Sequence, residues 1–306
     1  MNKAANTKVS SRPPIRSYLF VPGNKGDWID KSVSAGADAL ILDLEDSVPL
    51  DEKAAARGIV AGKITELGAR QQRVYVRVNR TPYLYDFADI TAVVGPGLEG
   101  IVVSKPCGPE DMHTVDMMLS EAELHAGQPV GSTVVAVVPE TARAMQLTYE
   151  IAEHPRVSAV MGVAAKNGDT ARALGYEWTA AGRESLYVKS RVVMAARAAG
   201  KQPVGGLWQQ IHDLEGLRAY SAADRALGMS GVVLLHPSNV PVVNEVFSPT
   251  ADEVAYYQGL LDAVAAAQAE GRASVVYDGE HVDLAHAETA RQIVELARAY
   301  EGKAGQ

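Results

Sequence analysis

With 306 residues, 47% of them hydrophobic, 22% charged and 6% aromatic, the chain has the composition of an ordinary globular protein, which excludes disorder and collagen-like structure. Acidic residues outnumber basic ones by 37 to 29, a formal charge of −8, and no run of Lys or Arg is long enough to track a phosphate backbone, so nucleic acid is not expected as a partner. The apolar runs fall far short of the ~20 residues that cross a bilayer. A lone cysteine, Cys107, behind a polar N-terminal segment with no signal-like apolar stretch points to the reducing cytoplasm.

Residues 1–15, with Pro13, Pro14 and small polar residues, lack periodicity and predict a tail. An alternation then begins of short β-branched runs, turn residues and Ala-rich helical segments, the pattern of parallel βαβ units. Eight such runs are present: SYLFVP from Ser17, ALILDLED from Ala39, RVYVRVN from Arg73, GIVVSKP from Gly100, TVVAVVPE from Thr133, VSAVMG from Val157, QPVGG from Gln202 and SGVVLLHP from Ser230. Eight strands close a (β/α)8 TIM barrel, predicted here over residues 16–250. The seventh is the weakest. Between them, DEKAAARGIVAGKITELG reads as a helix that stops at Gly68, and Trp178 to Ala199 reads as helix too. A doubly wound open sheet is the runner-up, but VPGNKGDW after the first strand lacks the GxGxxG spacing of its phosphate turn. Residues 251–306 predict a C-terminal extension: a helix from Ala251 to Glu270, the strand-like ASVVYDGEHVD, and an amphipathic helix from Leu284 to Tyr300. Their Val and Leu residues need burial, either on a neighbouring subunit or over the barrel mouth.

Barrel chemistry sits at the C-terminal ends of the strands, and several strands here end in charge. Strand two ends in Asp43, Glu45 and Asp46, strand three in Arg77 and Asn79, strand four in Lys105 and strand five in Glu140; Asp169 follows strand six and His236 ends strand eight. Alternation puts Tyr75, Arg77 and Asn79 on one face, and Ala136, Val138 and Glu140 on one face. If those faces point inward, Arg77 and Glu140 both look into the mouth. Glu140 and Asp169 have the hard-oxygen character of a Mg2+ site that keeps waters and takes further ligands from a substrate, whereas zinc spacing is missing. Each could equally be the N-cap of the helix that follows it. Arg77, between Val76 and Val78, is costly to bury without an anion; Asp43, Glu45 and Asp46 could supply it as a plain salt bridge, or a ligand could. His236 reads as a loop-stabilising residue.

RSYLFVPGN from Arg16, DALILDLEDSVP from Asp38, VRVN of strand three, PETA from Pro139, GDTARALG from Gly168, GVVLLHPSNVPVVNEVFSP from Gly231 and DGEHVD from Asp278, in order over residues 16 to 300, resemble the citrate lyase β-subunit-like (CitE-like) branch of the HpcH/HpaI aldolase family. The resemblance implies a Mg2+-dependent carbon–carbon lyase acting on a 3-hydroxyacyl-CoA thioester such as malyl-CoA or citramalyl-CoA. It would give acetyl-CoA and a 2-oxo acid. Carried over residue by residue, Glu140 of the ETA motif and Asp169 hold the metal, and Arg77 contacts the substrate and stabilises the enolate; Asp43 and Asp46 at the end of strand two are expected to support the site from behind these residues. Arg16 and Phe20 of RSYLFVPG lie near the CoA. Asp283 of the extension is presented to the site of an adjacent subunit, which implies a homo-oligomer, a trimer or hexamer. For the proton transfers a carboxylate or a metal-bound water is the available base, with Glu45 and Asp283 as the candidates.

Departures from the pattern are also visible. Gly168 stands where relatives carry Glu before the metal Asp, and SKPC ends strand four where LPKV is common. A β subunit of a citrate lyase complex acting on a citryl-acyl-carrier protein, or an altered barrel with a binding role, are the alternative readings. DLEDSVP after strand two carries no histidine, which sets the chain apart from the aldolases that use a histidine base there.

Overall fold

The structure, a computed structural model, describes residues 12–304. The greater part of the predicted N-terminal tail therefore lies outside the described residues. The chain divides into two compact units, one of Ile15–Phe247 and one of Ser248 onward together with the segment that ends at Pro14. No helix among the described residues is long and apolar enough to cross a membrane.

In the first unit eight parallel strands run in the order β7-β6-β5-β4-β3-β2-β1-β8: β1 (Ser17–Pro22), β2 (Ala39–Asp43), β3 (Arg73–Arg77), β4 (Gly100–Ser104), β5 (Val134–Val138), β6 (Val157–Met161), β7 (Gln202–Val204) and β8 (Val232–Leu234). The ring closes between β7 and β8 through a bridge from Gly205 to Val232, with the Gly205 amide donating to Gly231 O at 2.8 Å. This is the (β/α)8 barrel. The open sheet is excluded because the two strands at the ends of that order, β7 and β8, are joined by this bridge and leave no free edge.

Alternation decides which side chains fill the ring. Tyr18, Ala39, Ile41, Tyr75, Val102, Ala136, Val138, Ala159, Met161, Val204 and Val233 form the interior cluster, while Leu19, Leu40, Leu42, Val74, Val76, Val103 and Val137 face the surrounding helices in a second, larger one. Burying a Leu or Val side chain stabilises by roughly 1.5–3 kcal/mol, and both layers are continuous, so a one-residue slip of any strand would turn its core face over.

Strand ends differ from the expected ones for local reasons. β2 stops at Asp43 instead of Asp46 because the Asp43 carboxylate accepts the amides of Glu45 (2.9 Å) and Ser47 (3.1 Å), which turns the chain. The helix Lys53–Ala69 runs past Gly68. That glycine is needed for close approach, since a Cβ there would lie 2.3 Å from Gly97 Cα. The helix expected from Trp178 starts only at Leu186, after turns that include Gly182 at φ 63°. Trp178 packs near Trp208, with ring centroids 5.9 Å apart.

The second unit contains the helices Ala251–Ala269 and Leu284–Ala304 and between them a hairpin of β9 (Val275–Tyr277) and β10 (Glu280–Val282). Thr250 and Glu253 form a capping box at the start of the first helix. Asp278 and Gly279, at φ 48° and 81°, make the two-residue turn that suits a right-twisted hairpin. Leu260, Val264, Val282, Ala287 and Ala290 are its core.

Candidate active site

A cavity of about 680 Å³ opens at the C-terminal end of the barrel. Its lining joins apolar residues, among them Phe20, Trp28, Leu207, Leu235 and Pro237, with the polar Asp43, Asp46, Arg77, Glu140 and His236. The register of β2 against β3 sets Asp43 beside Arg77. Asp43 accepts Arg77 Nε at Oδ1 and Nη2 at Oδ2, both at 2.7 Å, a bidentate fork that fixes the guanidinium plane. Burial would raise the Asp43 carboxyl, but the two bonds and the charge of Arg77 outweigh it and hold it below the usual range. Arg77 stays cationic: burial works against it, yet the same fork and the charges of Glu45 and Asp46 raise it above its ordinary value. Its Nη1 lies 3.0 Å from Glu45 Oε2 and 3.7 Å from Asp46 Oδ2, and its Cζ stands 4.8 Å from the Phe20 ring centroid.

Glu45 is buried. Its Oε1 accepts Ser104 Oγ at 2.7 Å, and its Oε2 has no aligned hydrogen-bond donor although Arg77 Nη1 is close. Lys105, at the end of β4, reaches the same region with Nζ 3.5 Å from Glu45 Oε1, 3.8 Å from Glu140 Oε1 and 3.4 Å from Asp169 Oδ2. Glu45, Lys105 and Asp169 are joined to the cavity through these ion pairs and do not line it themselves.

The capping alternative for the two acids does not apply. Thr141 caps the helix Ala142–Gln146, accepting the Ala144 amide at 3.0 Å, and Glu140 sits in a tight turn before it whose amide donates to Val138 O. Gly168 is the N-cap position of the helix Asp169–Leu174; the Asp169 carboxylate makes no cap bond and pairs instead with Arg172 and Lys105. The space at Gly168 is tight, since a Cβ would lie 3.0 Å from that of Ala165. Burial, and then the neighbouring charges of Asp169 and Glu45, push the Glu140 carboxyl up to about 7 against the opposing pull of Lys105 and Arg77.

Among the described residues five carboxylates (Asp43, Glu45, Asp46, Glu140 and Asp169) meet only Arg77, Lys105 and Arg172 here. No group of three or more His, Cys, Asp and Glu is arranged to hold a metal among those residues. A surplus of hard anionic oxygens offering two protein ligands fits a Mg2+ that retains waters and shares substrate oxygens.

Two expectations need correction. Arg16 does not belong to this mouth. It precedes β1, and strand polarity places it at the opposite, N-terminal face, where Nε and Nη2 fork onto Asp38 at 2.8 and 2.9 Å. Phe20, four residues on, does line the cavity. Asn79 lies past the end of β3, and its side chain bonds Leu44 O, Asp89 and Lys53 instead of facing inward. Asp283, between β10 and the last helix, is half-exposed, and its carboxylate accepts the Ala285 amide and bonds His286 Nδ1 at 2.8 Å. His236 caps the short turn at Pro237, with Nδ1 2.7 Å from Ser238 Oγ, the loop-stabilising arrangement expected of it. Sequence reasoning passed over Trp28, 58% exposed beside the cavity; a large aromatic exposed on a helix just after the first strand was the available signal.

A family model described as HpcH/HpaI aldolase/citrate lyase matches residues 16–237. The chain is 36% identical over 280 residues to a citrate lyase subunit beta-like protein of Deinococcus radiodurans, covering 89% of this chain and 94% of the relative. Two proteins of Cereibacter sphaeroides are each 32% identical: a (3S)-malyl-CoA thioesterase (94% and 95% covered) and an L-malyl-CoA/beta-methylmalyl-CoA lyase (93% and 95%). The crystal structure of CitE from Mycobacterium tuberculosis with magnesium, acetoacetate and coenzyme A superposes with a TM-score of 0.73 at 25% identity, over 94% of this chain and 98% of that one.

Proposed function

The chain belongs to the HpcH/HpaI aldolase/citrate lyase family, in its citrate lyase β-subunit-like branch, and from that premise we propose how its barrel mouth works. The protein is a Mg2+-dependent carbon–carbon lyase for CoA thioesters. The substrate is a 3-hydroxyacyl-CoA of the malyl or citramalyl type, cleaved to, or formed from, acetyl-CoA and a 2-oxo acid. The observation that carries this reading is the Arg77–Asp43 fork beside the Glu140 and Asp169 carboxylates in one mouth.

Glu140 and Asp169 would hold the Mg2+, which supplies Lewis-acid charge to the hydroxyl and carboxylate of the acid half. Cleavage of the C2–C3 bond leaves its electron pair on the acetyl carbon, conjugated with the thioester carbonyl, so negative charge develops on that oxygen. Arg77 is assigned to it, since a guanidinium stays charged at any working pH and its plane is preset by Asp43, needing no reorganisation as the charge appears. The hydroxyl gives up a proton and the acetyl carbon takes one, and carboxylates are available for both transfers. Glu45, and Asp283 contributed by a neighbouring subunit of a homo-oligomer, are the groups we assign. Phe20, Trp28 and the other apolar lining residues suit the pantetheine and acyl parts of a CoA ester. With one cysteine and no disulfide possible within the chain, we place the protein in the reducing cytoplasm.

The test is incubation with Mg2+ and malyl-, citramalyl- or citryl-CoA, with mass detection of products. Acetyl-CoA and a 2-oxo acid are expected from one of them, lost on chelation and in Glu140→Ala, whose fold should persist. Metal-dependent cleavage that survives in Glu140→Ala would remove the ligand assignment. Release of free hydroxy acid and CoA alone, as from a thioesterase, or activity confined to a carrier-protein thioester, would overturn the lyase reading for CoA esters.

A further inference from the structure

Lys105 stands apart from the groups assigned so far. Its Nζ lies 3.4 to 3.8 Å from four carboxylates, Glu45, Asp46, Glu140 and Asp169, and donates an aligned hydrogen bond to none of them. Charge alone holds it there. The side chain is 29% exposed, so it has room to move. Its backbone has φ 53°, in the left-handed region uncommon for L residues, and its amide is tied to Val138 O at 3.1 Å, next to the turn that carries Glu140. The four carboxylates fall into two pairs from different loops: Glu140 and Asp169 after β5 and β6, and Glu45 and Asp46 after β2.

We propose that Lys105 is a positioning residue, a tethered cation that bridges Glu140 and Asp169 until a divalent cation binds them and then withdraws to Glu45 and Asp46, so that it sets how tightly the mouth takes its metal. The physical reason is competition: an ammonium and a divalent cation drawn to the same two carboxylates repel each other, and the shorter reach and double charge of the metal win only after the amine is displaced. The second acidic pair supplies the place to go without leaving the amine uncompensated. This inference rests on the reading of Glu140 and Asp169 as the metal pair.

Calorimetric titration of MgCl2 into the substrate-free protein, wild type beside Lys105→Met, Lys105→Gln and Lys105→Arg, tests it. Both neutral variants should bind Mg2+ more tightly by on the order of tenfold, with the arginine variant close to wild type. Their melting temperature should be lower than wild type without metal and should rise further than wild type when Mg2+ is added, because stabilisation follows the ratio of free metal to Kd. A Lys105 that merely supports the loop would weaken binding in every variant. Wild-type or weaker affinity in both neutral variants, with Glu140→Gln still abolishing binding, overturns the role of Lys105 and leaves the metal pair standing. Wild-type Mg2+ affinity in Glu140→Gln overturns both.

Discussion

Arg77 illustrates how one side chain is made costly to replace. A guanidinium inside a strand has to be compensated, and the structure does so with a planar fork to Asp43 on the adjacent strand and a ring face from Phe20. Lysine at this position would keep the charge but lose the plane and the second bond. Arg77→Lys is therefore expected to lower kcat by ~10²–10³ with a smaller change in KM, as removal of a preorganised donor does. Asp43→Asn should show a milder loss of the same kind, because the guanidinium stays in place but turns more freely. Steady-state kinetics on the active thioester checks both; an unchanged kcat in Arg77→Lys would take the enolate role away from this residue.

At the level of elements, the two ends of the barrel are built differently. The N-terminal end is clasped by ion pairs: Arg16 with Asp38 below β1 and β2, Arg73 with Glu99 below β3 and β4, and Arg156 with Glu123 below β5 and β6. Glu123, on the helix Pro109–His125, is fully buried, accepts Arg156 Nη1 and Nη2 at 2.7 and 2.9 Å, and also takes the amides of Gly131 and Thr133. Burial would raise its carboxyl, but these bonds outweigh that and hold it at about 2, below the ordinary 4.5. A depressed carboxyl contributes stability that is present in full above its unfolded pKa and is lost as the pH falls through its folded one. The clasp should accordingly weaken between pH 4.5 and about 2. Glu123→Gln should cost about 3 kcal/mol at pH 7, since it removes the buried carboxylate of the Arg156 guanidinium and leaves it only the partly exposed Asp116 at 2.6 Å, and the cost should shrink toward pH 2. Urea unfolding at pH 7 and pH 3 measures the difference; equal losses at the two values would show that the charge of Glu123 is not what matters. At the other end, carboxylates exceed cations, an imbalance that suits the metal we propose for the mouth.

For the whole molecule, the question is how the unit from Ser248 onward takes part. It has its own small core and carries Asp283, half-exposed before the last helix, where His286 holds the carboxylate below its usual range. We propose that this residue serves the mouth of a neighbouring copy. Asp283→Asn and Glu140→Ala, each inactive alone, should then recover measurable lyase activity when mixed under conditions that exchange subunits, because some mouths receive an intact Glu140 and an intact Asp283. Absence of recovery in mixtures shown by native mass spectrometry to contain both variants would restrict Asp283 to its own chain or to no role. A single species in light scattering larger than a monomer is the accompanying expectation.

What the amino-acid order determined by itself is the periodic part. Eight β-branched runs, the inward side of the third and fifth strands and the acidic strand ends follow from local pattern, because alternation along a strand is a property of neighbouring residues. The family was legible as well, from motifs in order along the chain. Tertiary structure alone decided what lies across from what. Asp43, and not Glu45 or Asp46, became the fork partner of Arg77 because the β2–β3 register sets those two side by side. Arg16 went to the far end because a residue before a parallel strand lies one barrel height from a residue after it. Lys105 came to rest among four carboxylates from three separate loops. Such pairings depend on strand register and ring closure, which are long-range quantities that no local window of sequence contains.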